Sequence, residues 1–546
     1  MNETWAKKIV SHLITLGVET FYIAPGSRST PLVLAVAKLV GGAVHFDERG
    51  LAFCALGYGL GAKKPAALIT TSGSAVGNLL PAVMEAFHHR VPLILLTADR
   101  PPELRDCGAN QTGDQVKLFG GYVRWHVDLP CPDPHLPERY LATTLSQAVF
   151  RAQEGPVHIN CMFREPLLGG AENAPPPVQP TFYEPADVVL SPESVEKWRK
   201  RLASVEKGVI VAGSYRGRPA HSVLALAEAL RWPVLPDILS NVRSLGAHPC
   251  VAAHYDLILQ NGALEHADAV LHLGDRVVSK PLMRWLEASS PSLYCLVANH
   301  PFRHDPQHLV THRFFLDPFA FCEALLPVCG RGTLQAPSVR GAVSTFFAAQ
   351  EAHTEPGLFH FLQERLDAEW ALFLSNSMPI RDADGFFFPE HPSALVYANR
   401  GLSGIDGVIA TAAGLAEGAR RPVCAVVGDQ AALHDLNSLA LLHKSRYPVL
   451  LLIINNGGGG IFSFLPQAHL QEHFETYWAG AHAFSFEQGA RLFDLPYYNP
   501  ENRRAWETLF LQAAAHGRSC LIEIRTNRQE NVCVHRELAA CALASV

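Results

Sequence analysis

No apolar run in the 546 residues is long enough to cross a membrane. The longest, such as "YPVLLLII" from Tyr447 to Ile454, falls far short of the roughly 20 residues a spanning helix needs. Charge of one sign is equally scarce. The net charge is −6, and basic pairs such as Lys7-Lys8 and Arg420-Arg421 stand alone, which argues against a nucleic-acid or membrane-surface protein. The first residues, "MNETWAKKIVSHLITLGVETFYIAPGS", lack an apolar signal core, and no CxxC pair occurs among the twelve cysteines. Together these absences predict reduced, mostly buried thiols in a cytoplasmic protein. No Walker loop, HExxH or GxSxG is present, and the 26 histidines show no cluster with ligand spacing. The glycines of "GYGLGA" (Gly57–Ala62) precede a strand instead of following one, so a dinucleotide-binding turn is excluded as well.

What is present is length and alternation. The chain is too long for one hydrophobic core and should divide into roughly three or four domains. Short apolar runs alternate with helix-like stretches, which argues parallel sheets covered by helices. In the first third "TFYIA", "AVHF", "AALITT" and "VPLILLTA" read as strands. A proline-rich stretch from Ala171 to Pro185 reads as a linker, and a second weak patch covers Gly330 to Ala342. Domains are therefore expected at 1–172, 186–330 and 343–546, the middle one a parallel sheet of about six strands without a glycine fingerprint. The outer thirds also resemble each other. "GLGAKKPAALITTSGS" aligns with "GLAEGARRPVCAVVGDQ", and the following strand-opening proline comes 27 residues on in one and 26 in the other. A repeated domain is the implication.

The most informative stretch is "VCAVVGDQ…VLLLIINNGGGGIF". Two buried strands end side by side, one in Asp429 and the other in Asn455-Asn456. In open α/β sheets ligands bind beyond the carboxyl ends of the strands. A carboxylate and an amide oxygen make a hard, incomplete ligand set suited to Mg²⁺, which completes its shell with phosphates and water. Gly458 can add a carbonyl, because glycine lets the backbone fold close to an ion.

This spacing resembles the metal and diphosphate signature of thiamine-diphosphate enzymes, with Gln430 in place of the usual third glycine. The resemblance implies that Asp429, Asn456 and Gly458 hold Mg²⁺, with Mn²⁺ as the alternative ion. It also implies that Gly428, Gln430, Ala431, Ile461 and Phe462 cradle the cofactor, and that Ser72 and Gly73 touch it from the first domain. Such cofactors need a sheltered carboxylic acid against ring nitrogen N1′. In "AVHFDERGLAFCALG" either Asp47 or Glu48 follows the strand, and the resemblance selects Glu48. It places Ile405 as an apolar wedge under the cofactor.

"IAPGSRSTPL", "FDERG", "TADRPPEL", "CGANQ", "SNSMPIR" and "NRGLSGIDG" together resemble the 2-succinyl-5-enolpyruvyl-6-hydroxy-3-cyclohexene-1-carboxylate synthase (MenD) family. That resemblance implies three doubly wound parallel-sheet α/β domains of the thiamine-diphosphate enzyme type, the first and last related: pyrimidine-binding, central and diphosphate-binding. It implies decarboxylation of 2-oxoglutarate and transfer of the succinyl unit to isochorismate in menaquinone and phylloquinone synthesis. It implies a homodimer with active sites at the subunit interface, a homotetramer being the alternative. Both substrates are dianions, and arginine grips carboxylates with two hydrogen bonds. By resemblance Ser377 and Arg381 hold the succinyl end, and Arg28 with Lys280 the isochorismate carboxylates. Arg100, Ser27 and Asn110 also bind substrate, while Arg400, Gln111 and Glu48 are the catalytic residues. Besides Gln430, two further places depart from the family pattern. Lys280 is followed by Pro281 instead of arginine, and Gly457 and Gly460 stand where an amide and a glutamine are usual. A smaller, less charged donor, as in acetohydroxyacid synthases or simple 2-oxoacid decarboxylases, is the rival reading; a binding-only homologue is the other.

Overall fold

The computed structural model describes residues 1–169, 178–350 and 353–545. The first stretch of the expected linker, and the expected boundary at 172, lie outside the described residues. Residues 178–190, within or next to it, form neither helix nor strand.

Three parallel sheets carry the chain. The first contains β1 (Phe21–Ile23), β2 (Ala43–Val44), β3 (Ala66–Thr70), β4 (Leu93–Asp99), β5 (Trp125–Leu129) and β6 (Pro156–Met162), in the order 2-1-3-4-6-5. The middle sheet contains β7 (Gly208–Ala212), β8 (Val234–Pro236), β9 (Ala269–Leu273), β10 (Leu293–Val297) and β11 (His312–Phe314), in the order 11-10-9-7-8. It has five strands where the sequence suggested about six. The last contains β12 (Ala371–Leu374), β13 (Leu395–Ala398), β14 (Val423–Gly428), β15 (Val449–Asn455), β16 (Tyr497–Tyr498) and β17 (Cys520–Arg525), in the order 13-12-14-15-17-16. Renumbered from its own first strand, that order is identical to the first sheet's. The repeat legible in the glycine and proline spacing is therefore a repeat of topology.

Central strands such as β4 and β15 are buried along their whole length, as parallel strands covered on both faces must be. In the outer domains, helices that carry or support candidate site residues are α1 (Glu48–Ala62), α2 (Met378–Phe386), α3 (Val408–Ala419) and α4 (Asp429–His434). The side chain of Asp47 caps α1, accepting from Arg49 N at 3.0 Å and Gly50 N at 3.3 Å. Every residue of α1 from Gly50 to Leu60 is buried, because the helix packs on its own sheet and against α3.

The α1–α3 contact explains the glycines of "GYGLGA". A Cβ on Gly57 would lie 2.1 Å from Thr411 O, and one on Gly414 would lie 1.8 Å from Cys54 O. Backbone meets backbone here, so any side chain would push the helices apart. One continuous apolar core then runs from the first sheet through α1 and α3 into the last sheet. Among the described residues no helix is long and apolar enough to cross a membrane.

Candidate active site

β14 and β15 are neighbours, Gly428 lying beside Ile454, so their carboxyl ends open at one sheet edge. Asp429 starts α4 and is 2% exposed. Its Oδ1 accepts from Gln430 N at 2.6 Å, and its Oδ2 from Gly458 N at 2.8 Å. Burial raises its pKa, opposed by the Gly458 N–H and the nearby His482. The glycine run is a packing requirement as well: Gly458 has φ +147°, and a Cβ there would meet Ala479 O at 2.5 Å. Gln430, in the place of a usual glycine, donates from Nε2 to the same carbonyl at 2.7 Å and so braces this loop.

Asn456 is aimed by a residue that carries no distinguishing mark in the sequence. Its Nδ2 donates to Glu355 Oε1 at 2.9 Å, an oxygen that also accepts from Thr526 Oγ1 at 2.9 Å. With the NH₂ so engaged, Asn456 Oδ1 is left buried and without a hydrogen-bond partner among the described residues. A buried orphan oxygen is costly unless something takes its lone pair. Together with the Asp429 carboxylate it forms a hard-oxygen donor pair, and these residues fit Mg²⁺. Burial, and next the charge of Asp382, pushes Glu355 up to about 7. In "HTEPGLF" that glutamate looks like ordinary first-turn acidity behind the Thr354 cap, so sequence offered no signal for it.

A cavity of about 400 Å³ opens over this edge. Gly428, Gln430, Ala431, Ile461 and Phe462 line it, as do Ile405, Ser377, Arg381 and Arg400. Arg381 at the first turn of α2 donates from Nη1 to Ser377 O at 2.5 Å, and Ser377 itself has φ +70°. Arg400 donates to Asn376 Oδ1 at 2.7 Å, and Asn376 Nδ2 in turn bonds Asn399 O at 2.8 Å and Gly404 O at 2.7 Å. Burial lowers the Arg400 pKa, partly opposed by Asp237 and Glu85. Glu85, 3% exposed in the first domain, accepts from Gly401 N at 2.6 Å and Leu402 N at 2.7 Å. It fixes the loop that carries Arg400, another role that sequence did not disclose.

The first-domain candidates form a second group, at the carboxyl ends of β1, β3 and β4. Arg100 Nη1 donates to Ser72 Oγ and, at 2.7 Å, to Gln111 O, while Gln111 Nε2 returns to Ser72 O at 3.0 Å. Gly73 sits against Gln111 with φ +80°, and its N–H reaches Gln115 Oε1 at 3.0 Å. Arg28 is buried and joins the group through its N–H to Thr71 Oγ1 at 3.3 Å. Its guanidinium is taken up by Phe163 O at 3.1 Å and by the exposed Glu165 at 3.0 Å. Ser27 and Asn110 are exposed. Glu48 is half-buried and accepts from Asn78 Nδ2 at 3.1 Å. None of these residues lines the cavity of the last domain. Lys280 is exposed at the start of the helix Lys280–Ser289 and does not line it either.

A second cavity, of about 530 Å³, shares Arg400 and Ser403 with the first and lies where all three domains meet. His88 and His89 reach it from the first domain, and Arg276 and His304 from the middle one. Here the structure corrects the reading of the histidines. Asp275, His300 and His304 bring one ligand atom each within 4.8 Å of one another. Burial holds His304 down at about 3.

Three domain families match the chain: "Thiamine pyrophosphate enzyme, N-terminal TPP binding domain" over residues 3–118, "Middle domain of thiamine pyrophosphate" over 179–374, and "Thiamine pyrophosphate enzyme, C-terminal TPP binding domain" over 385–524. Among curated proteins, 2-succinyl-5-enolpyruvyl-6-hydroxy-3-cyclohexene-1-carboxylate synthase of Rubrobacter xylanophilus is 45% identical, the match covering 98% of each chain. The protein of the same name from Salinibacter ruber is 42% identical over 98% of this chain and 96% of its own. Protein PHYLLO, chloroplastic, of Arabidopsis thaliana is 36% identical over 98% of this chain and 35% of its own length.

Proposed function

The chain belongs to the 2-succinyl-5-enolpyruvyl-6-hydroxy-3-cyclohexene-1-carboxylate synthase family of thiamine pyrophosphate enzymes, and from that membership we propose how its residues divide the reaction between them. It is a carbon–carbon bond-forming enzyme that decarboxylates 2-oxoglutarate and joins the succinyl unit to isochorismate, in menaquinone or phylloquinone synthesis. Thiamine diphosphate, once bound, supplies the electron sink for decarboxylation and carries the succinyl unit.

The observation that carries the assignment of residues is the orphaned Asn456 Oδ1 beside Asp429. Those two oxygens, with backbone at Gly458, would hold Mg²⁺ or Mn²⁺ against a diphosphate lying over Gly428, Gln430 and Ala431. Ile461, Phe462 and Ile405 form the apolar side of that cavity. Arg381 and Ser377 would take the distal carboxylate of 2-oxoglutarate, and Arg400, already desolvated, would act near the reacting carbon.

Glu48, Ser72, Gly73, Gln111, Arg28, Arg100, Ser27 and Asn110 belong to the other half of the site. In one chain none of them reaches the cavity, so we assign them to the cavity of a second copy. The surroundings of Glu48 support a seat for that copy. Phe46 is 58% exposed and Val44 47%, and Leu39 and Val40, a few residues earlier in the chain, are exposed too. A homodimer is thus the smallest complete enzyme, with a tetramer compatible with it. Covered by the partner, the Glu48 carboxyl would face ring nitrogen N1′ as its hydrogen-bond partner. Arg28 would exchange Glu165 for an isochorismate carboxylate, aided by Lys280. A cytoplasmic setting agrees with the free thiols. The pyrimidine-binding, central and diphosphate-binding units correspond in this reading to residues 1–172, 186–330 and 343–546.

Purified protein with thiamine diphosphate, Mg²⁺ and both substrates should consume isochorismate, read as loss of its absorbance. It should release carbon dioxide from 2-oxoglutarate and not from pyruvate. Glu48→Gln should bind the cofactor and lose turnover by about 10²-fold or more. Consumption that persists undiminished in Glu48→Gln would refute the assignment of the acid, and release from pyruvate alone would refute the substrate.

A further inference from the structure

In the middle domain Asp275 lies two residues beyond the end of β9, and His300 three beyond the end of its neighbour β10. This is the carboxyl edge of an open parallel sheet, where such folds bind ligands. His304 follows four residues later and turns back to the same point. His300 Nε2 contacts Asp275 Oδ1, and His304 Nδ1 lies 3.5 Å from the same oxygen. The two imidazoles stand with centroids 4.7 Å apart.

The decisive feature is His304. Its side chain is only 8% exposed, yet neither ring nitrogen has a hydrogen-bond partner among the described residues. A buried imidazole with two idle nitrogens, aimed at a carboxylate and another imidazole, is paid for only if something binds there. We propose that Asp275, His300 and His304 form a transition-metal site, best matched to Zn²⁺, separate from the hard-oxygen pair at Asp429 and Asn456.

Two imidazoles and one carboxylate select Zn²⁺ or its first-row neighbours over Mg²⁺. Ligand pairs of a tetrahedral Zn²⁺ are roughly 3.3 Å apart, given bonds of about 2.0–2.1 Å. The His304–Asp275 separation of 3.5 Å is close to that, and His300 Nε2, now in direct contact with Asp275 Oδ1, must draw back from it to admit the ion. The backbone around the ligands is fixed: His272 Nε2 meets Asp275 O at 3.0 Å, and Arg313 Nη2 donates to His300 O at 2.7 Å. Such outer contacts hold metal ligands in place.

Two features oppose binding and set how much the third ligand matters. Arg216 and Arg276 stand close enough to repel a cation. His300 Nδ1 now accepts from Phe302 N at 3.2 Å, and binding through Nε2 moves the proton to Nδ1 and ends that contact. Three protein ligands leave a position open toward the cavity that Asp275 and His304 line beside Arg400. The β10–β11 connection that carries His300 and His304 is tied to the first domain next to them, where Asn299 Oδ1 accepts from Arg90 Nη1 at 2.8 Å.

The test uses the full-length protein, freed of metal by a chelator and then dialysed with excess Mg²⁺ and thiamine diphosphate so that the oxygen site is filled. Zn²⁺ is added, and bound metal is measured by atomic emission after gel filtration. The expected result is about one Zn²⁺ per chain, weakened on the order of 100-fold in His304→Gln and in Asp275→Asn. The exposed His308→Gln should bind as the parent does. X-ray absorption of the Zn²⁺-loaded parent should show two imidazole nitrogens in the first shell. Less than about a tenth of a Zn²⁺ per chain in the parent, or a shell without imidazole, overturns the proposal even if the variants fail to fold. So does Zn²⁺ retention in His304→Gln equal to the parent's.

Discussion

Replacing Gly414 with alanine tests the idea that the two halves of the site are held in register by direct backbone contact between α1 and α3. In an exposed helix the change should stabilise, since alanine exceeds glycine in helix propensity by about 1 kcal/mol. At Gly414 the new Cβ would lie 1.8 Å from Cys54 O. An ordinary carbon–oxygen contact is about 3.3 Å, so the helices must separate by roughly 1.5 Å. The atom in the way is backbone inside a buried helix and has no rotamer to escape into. Overpacking of this kind costs about 1–3 kcal/mol, and here it must exceed the propensity gain. A net loss of about 1–2 kcal/mol is expected, read as a lowered urea midpoint under identical conditions. Gly341 supplies the control: it is in the helix Arg340–Ala348 with no neighbour within 4 Å of an added Cβ, so Gly341→Ala should be neutral or stabilising. Turnover should also fall in Gly414→Ala, because α1 begins at Glu48 and the loop before α3 carries Ile405. Equal or raised midpoints in both variants would refute the reasoning.

Other perturbations read the site and its supports separately. Asp435 caps α3, accepting from Ile409 N at 2.8 Å and Ala410 N at 2.9 Å, and burial raises its pKa to about 6. The folded state therefore holds this proton more tightly than the unfolded chain, and the group's contribution to stability falls as pH rises from about 4 to 6. Asp435→Asn keeps a capping oxygen and should gain about 1–2 kcal/mol relative to the parent at pH 8, the gain vanishing near pH 4 in parallel urea titrations. Removing the support of Asn456 by Glu355→Ala should weaken Mg²⁺-dependent cofactor binding about 10–100-fold, measured by tryptophan quenching. Pro281→Arg, which restores the usual residue beside Lys280 at the first turn of its helix, should lower the isochorismate KM about 10-fold and leave that for 2-oxoglutarate unchanged.

Much of the architecture was legible because it rests on short-range pattern. Buried parallel strands show as unbroken apolar runs, and "VPLILLTA" and "YPVLLLII" are β4 and β15 within a residue or two. The shared glycine and proline spacing anticipated two sheets of one topology. Edge strands such as β5 and β16 were missed, since β5 is only partly buried and β16 is two residues long. In the middle sheet, which has five strands where about six were expected, β8 and β11 are three residues each and too short to show a period.

Residue order alone was enough to read the donor chemistry: a carboxylate and an amide at adjacent strand ends, several arginines inside family-like segments, and an acid opening α1. Those are properties of residue type and local position, which the chain order preserves. Tertiary packing alone leaves Asn456 Oδ1 idle, sets Glu85 against the Arg400 loop, and brings Asp275 to His300 and His304. Each depends on residues far apart in the chain converging on one point, and no local spacing encodes that convergence. It also decided that the two sets of site residues do not meet within one chain. Backbone contact between α1 and α3 fixes the outer sheets relative to each other, and with them the directions in which their strand ends face.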